Sequence, residues 1–167
     1  MAFREMRACR CLTRLFVVAV VTGVPVVAMA QASADAPRFI NPPTLSTPRG
    51  YSHVVEVPAG SRMVYVAGQV ALDSAGRLVG AGDFRAQAVQ VFENLKRALA
   101  AAGATFADVV KVNYYVVDAS QVVALREVRD RYVNTAAPPA STLVEVRRLF
   151  RDDVLLEIEA TAVVRNR

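Results

Sequence analysis

The nine residues Val109 to Val117 constrain this chain more than any other segment. Val112, Tyr114 and Val116 alternate with Tyr115 and Val117, so as a strand the segment shows apolar side chains to both faces of a sheet. Such a strand sits inside the sheet and needs cover above and below. Cover for one face lies on either side of it in the sequence. From Asp83 to Ala102 the apolar residues Ala88, Val91, Phe92, Leu95, Ala98, Leu99 and Ala102 follow the i, i+3, i+4, i+7 spacing of a helix with one buried stripe. Asp83 suits its N-cap and Gly103 its C-terminal stop. Ser120 to Val133 reads as a second, shorter amphipathic helix with Leu125, Val128 and Tyr132 inward. Two helices cover one face only. A monomer seldom leaves a contiguous apolar patch of more than a few hundred Å² in water, so self-association is the economical cover for the other.

The remaining elements are strands. His53 to Val57 and Met63 to Leu72 are rich in β-branched residues and flank the turn Pro58-Ala59-Gly60-Ser61, which predicts a hairpin. A Gly-rich turn from Gly76 to Gly82 then leads out of the sheet. Pro138 and Pro139 stop any helix, and the last strands run Thr142 to Leu149 and Leu155 to Val164, turning at Arg151-Asp152-Asp153. The expected class is α+β, in the order ββαβαββ, with one more short strand at Arg38 to Ile40. A chain of 167 residues holds one domain and one active site of this kind.

Residues 1 to 30 carry the three parts of a secretory signal: a basic start, the apolar run Leu15 to Val27, and the small residues Ala28-Met29-Ala30 before Gln31. The run is shorter than the ~20 apolar residues of a stable span and is broken by Thr22, Gly23 and Pro25, so cleavage after Ala30 is preferred to an uncleaved anchor. The product is expected in the periplasm or outside the cell, with no membrane attachment. Residues 31 to 50, rich in Ala, Ser, Thr and Pro, read as a flexible leader, and the domain proper as residues 51 to 167.

Arg4, Arg7, Arg10 and Arg14 against Glu5 carry three of the five net charges, leaving +2 on the mature chain. No basic stripe with interleaved aromatics remains, so nucleic acid is not an expected partner. Cys9 and Cys11 both lie in the signal, which removes thiol chemistry and disulfides from the mature domain. His53, the only histidine, has no neighbour at metal-ligand spacing, and no metal or other cofactor is expected.

Tyr51-Ser52-His53-Val54-Val55, Val66-Ala67-Gly68-Gln69-Val70, a helix with Gln87, Asn94-Leu95 and Ala101-Ala102-Gly103, the run Val109-Val110-Lys111-Val112, and Glu157-Ile158-Glu159-Ala160 occur in one order and spacing. That ordered set, over residues 50 to 164, resembles the Rid (reactive intermediate deaminase, YjgF-like) family. The resemblance implies a chorismate-mutase-like mixed sheet with two helices on one face, a homotrimer, and small-molecule clefts at the subunit interfaces. It also implies cofactor-free hydrolysis of enamines and imines, such as 2-aminoacrylate, to 2-oxo acids and ammonia.

In active members an arginine in a Pro-Ala-Arg-Ser-like segment grips the substrate carboxylate with two hydrogen bonds. Here the segment is Pro139-Ala140-Ser141-Thr142, with Ser141 at the arginine's place. A serine is uncharged and too short for that grip, which puts the standard 2-imino acid reaction in question. Arg147 lies about 20 Å along the strand at ~3.3 Å per residue and does not stand in. Arg151, Arg126 and Arg85 are the candidates for entry into the cleft from a neighbouring copy.

Glu157 matches the family glutamate proposed to position the attacking water. The competing account is that Glu157 and Glu159, on one strand face, pair with Arg147 or Arg148 across the strands. Tyr51 matches a cleft tyrosine or is an aromatic at a sheet edge. Gly68 marks a close approach of another strand or of ligand. Ser141 and Thr142 offer hydroxyls to a ligand or cap the chain locally. Two functions follow: a hydrolase of imines or related small reactive metabolites using Glu157 and water, or a trimer that binds a small molecule without turnover. An endonuclease role is the weakest of the three.

Overall fold

The structure, a computed structural model, describes residues 36–164. The proposed signal and the first residues of the leader lie outside the described residues. Eight regular elements follow in order: β1 (Arg38–Ile40), β2 (Val54–Glu56), β3 (Arg62–Gln69), α1 (Phe84–Ala101), β4 (Val109–Val116), α2 (Val122–Arg129), β5 (Ala140–Glu145) and β6 (Leu156–Val164). The extra strand at Arg38–Ile40 is present, and the order matches the one expected.

The main sheet is mixed and runs β3-β6-β4-β5. β6 lies antiparallel to both β3 and β4, whereas β5 lies parallel to β4. One sheet face is sealed. Val66, Val112, Tyr114, Val116, Leu156, Ile158, Ala160 and Ala162 meet the α1 stripe of Phe84, Ala88, Val91, Phe92, Leu95 and Leu99 in one buried cluster. α1 forms where its spacing predicted. The Asp83 carboxylate accepts the Ala86 N–H at 3.0 Å, and Gly103, at φ +68°, closes the far end as the Ala104 and Gly103 N–H groups donate to Leu99 and Ala100.

Four expectations need correction. The hairpin between the Val54 and Met63 segments is not formed: β2 pairs with β1, aided by an Arg38–Glu56 ion pair, and β3 pairs with β6. Pairing with β6 buries Val64 and Val66 but takes only one edge of β3; the hairpin is absent because β2 pairs with β1 and leaves the other edge of β3 without a strand among the described residues. The penultimate strand spans Ala140–Glu145 rather than Thr142 to Leu149, and it is parallel to β4 rather than hairpinned to β6. The cross-strand pairing of Glu157 or Glu159 with Arg147 or Arg148 is therefore absent, since β6 lies between β3 and β4. The second helix stops at Arg129, short of Val133, although Leu125 and Val128 are buried as expected and Tyr132 stacks on Phe92 at 5.0 Å.

The opposite sheet face is less apolar than Tyr115 and Val117 alone suggest. Lys111 donates to Thr142 at 2.7 Å, and the Glu159 carboxylate accepts from Asn113 at 2.6 Å and Tyr115 at 3.1 Å. Met63, Tyr65 and Val144 remain exposed among these polar groups, Tyr65 by 77%.

Candidate functional site

A pocket of about 220 Å³ opens between α2 and the β4–β5 end of the sheet, and Ser141 lies in its wall. The register of β4 and β5 explains why. Val112 pairs with Ser141 and Tyr114 with Leu143, so Ser141 and Leu143 share the helix-covered face with Tyr114. Thr142 pairs with Asn113 and points to the other face. The two hydroxyls named together by the sequence are thus separated by the sheet.

The helical wall is Val122, Leu125, Arg126 and Arg129, an i, i+3, i+4, i+7 stripe along α2. Arg49 and Tyr51 close the rim. Tyr51 is held there by its neighbour Ser52, whose N–H donates to Pro139 O at 3.2 Å and whose hydroxyl donates to Pro138 O at 2.7 Å. That clip ties the rim to the two residues just before β5. Gly50, at φ +79°, lets the rim pass over Arg129: a Cβ there would strike the guanidinium.

The pocket is cationic. Three guanidinium groups line it and no carboxylate does. Arg129, almost wholly buried, donates through Nε and an Nη to one oxygen of Asp130 at 2.8 and 2.7 Å. Arg49 and Arg126 have no side-chain partner among the described residues. Tyr114 is only 4% exposed, and its hydroxyl has no hydrogen-bond partner among the described residues. Burial, chiefly, and the Asp130 charge push its phenol up to about 12 despite the opposing pull of Arg129, so it is a neutral donor at physiological pH. Of the arginines suggested for the cleft, Arg126 lines this pocket in the same chain. Arg85 is engaged with Glu127, and Arg151 with Asp153.

Glu157 stands apart from these groups. It pairs in register with Tyr115 of β4 and so faces away from the pocket, on the face that carries Thr142 and Glu159. Its carboxylate lies against Gly68, where an added Cβ would collide with it. What comes close to Gly68 is this side chain, rather than the strand backbone or ligand expected there. A second depression of about 330 Å³, lined by Tyr65, Lys111, Asn113, Glu159 and Thr161 among others, occupies the same face. Hydrogen bonding to Glu159 holds the Tyr115 phenol above its ordinary range. Among the described residues no three His, Cys, Asp or Glu side chains converge as a metal site, and His53 bonds Ser46 O at 2.8 Å.

The family model described as Endoribonuclease L-PSP matches residues 43–164. The crystal structure of YyfB from Yersinia pestis, a protein of unknown function of the conserved Rid protein family, superposes with a TM-score of 0.69 at 41% identity, covering 77% of this chain and 98% of that one. The chain belongs to the Rid family. Protein DfrA of Myxococcus xanthus is 40% identical over 131 residues, spanning 78% of this chain and 92% of its own. The 2-iminobutanoate/2-iminopropanoate deaminase of Salmonella typhimurium is 36% identical over 136 residues, 80% of this chain and 96% of its own.

In this Rid protein, Tyr51 and Ser141, both singled out in the sequence, line one pocket, and Arg126, expected from a neighbouring copy, lines it from the same chain. Arg49, Tyr114 and Arg129 were missed in the sequence. The available signal for Arg129 was its place on the Val122, Leu125, Arg126 stripe, where a cation interrupts a face otherwise bound for the core.

Proposed function

We propose that this Rid protein is a cofactor-free hydrolase of small anionic imines or enamines, exported to the periplasm or secreted and working as a homotrimer. The observation that carries the proposal is the position of Arg126 and Arg129: α2 places guanidinium groups around Ser141, where the expected arginine of β5 is missing. A carboxylate bound there receives charge-assisted hydrogen bonds. Tyr51, Tyr114 and Ser141 add neutral donors. The name of the Salmonella relative supports an imine substrate.

The reaction adds water to the C=N carbon. Glu157 takes a proton from water as the C–O bond forms and returns it to nitrogen, giving a carbinolamine; it then passes the hydroxyl proton to nitrogen, so that the C–N bond breaks and a carbonyl compound and ammonia leave. Glu157 and the pocket lie on opposite faces of one sheet, so a single chain does not bring them together. In the proposed trimer, Glu157 of one copy meets the pocket of the next. Glu157→Gln is expected to abolish ammonia release from generated 2-aminoacrylate. Reassembling Glu157→Gln with Arg129→Gln chains is expected to restore part of the activity, and mixtures as inactive as their components would refute the shared site.

Ser141 favours a second reading, a trimer that binds a small molecule without turnover. If the native protein leaves the decay of 2-aminoacrylate unchanged while Ser141→Arg hastens it, this second reading stands.

A further inference from the structure

We infer that the pocket between α2 and β5 is built for a short dicarboxylate, a ligand with two acidic groups, rather than for a monocarboxylate. The inference rests on the reading that this pocket holds the ligand, but not on any turnover there. Charge is the first ground. Arg49, Arg126 and Arg129 line one cavity of about 220 Å³, and no acidic side chain shares the lining. Asp130 engages Arg129 alone, so two guanidinium groups enter the pocket without a counter-charge. One carboxylate occupies a single guanidinium fork, which leaves a cation over.

The second ground is Tyr114. Its hydroxyl lies on a residue 4% exposed, forms no hydrogen bond among the described residues, and belongs to the pocket lining. Among the described residues no buried side-chain polar atom lacks a partner, so this unbonded hydroxyl opens onto the pocket, where a ligand can reach it. An acceptor oxygen of a bound acid at the pocket floor satisfies it, while Arg126 and Arg49 at the more exposed side take the second acid. Size and lining complete the case. The cavity is below the usual range for drug-sized ligands, and Val122, Leu125 and Leu143 supply apolar contact for a few methylene groups between the acids. Inorganic phosphate would leave that apolar wall unused.

Calorimetric titration of the purified protein with succinate, butanoate and inorganic phosphate tests this. Succinate is expected to bind at least about tenfold more tightly than butanoate, because a second charged hydrogen-bonded contact is made. Arg126→Gln is expected to remove most of that difference, and Tyr114→Phe to weaken both acids by a few-fold. Arg126 is exposed, so its variant should keep the parent's thermal midpoint, and Arg49→Gln provides an independent second check. Equal affinities for succinate and butanoate, no binding of either, or phosphate binding as tightly as succinate would overturn the inference. Succinate binding without ammonia release sinks the hydrolase and leaves the dicarboxylate site standing, whereas release from a monocarboxylic imine with no preference for succinate does the reverse.

Discussion

Gly68 shows how one missing side chain places a carboxylate. Its backbone torsion is ordinary, so no turn requires glycine there; what requires it is the Glu157 carboxylate occupying the space a Cβ would take. Gly68→Ala is therefore expected to displace Glu157 with little loss of stability, lowering ammonia release at least about tenfold through misplacement of the reacting group. A circular-dichroism melt beside the assay separates the two effects. Tyr114 gives a prediction in pH. Its folded pKa of about 12 lies above the ordinary 10, so the associated stability is whole below pH 10 and is lost as pH climbs from 10 toward 12. At about 1.4 kcal/mol per pH unit that amounts to roughly 2–3 kcal/mol. Urea midpoints across that range should fall more steeply for the parent than for Tyr114→Phe, and the variant should lack the last phenolate to appear in absorbance.

Among the elements, α1 was legible because its period, its Asp83 cap and its Gly103 stop agree, and all three are local. Its stripe anchors the sheet. Leu95, 1% exposed, is expected to cost about 2–5 kcal/mol when cut to alanine, measurable as a lowered denaturation midpoint. β5 was less legible. Apolar alternation marks a strand but not its partner, and the parallel pairing with β4 is made across the whole α2 connection. The same limit hid the β1–β2 ribbon, because the turn at Pro58 to Ser61 suggests a hairpin with β3 while the partners of β3 lie nearly 100 residues away. The site suffered most. Ser141 and Thr142 are adjacent in sequence, yet the pleat sends one to the pocket and one to the other face, and only the β4 register decides which.

For the whole molecule, we propose the face bearing Met63, Tyr65 and Val144 beside Lys111, Asn113 and Glu159 as the surface of trimer assembly. Tyr65, on the edge strand β3, stands 77% exposed in the single chain. Sedimentation is expected to show a trimer, and Tyr65→Asp to shift it toward monomer by placing a charge beside Glu159 on a face that must lose water. A variant that stays trimeric would place the interface elsewhere. The split of Glu157 and the arginine pocket between two sides of one sheet then has a consequence for the cell. On the proposed trimer, a chain that folds alone carries half of two sites and none that is whole, so chemistry switches on with assembly. Specific activity should decline on dilution along the same curve as assembly, and a dilute population would be silent however well each molecule is folded.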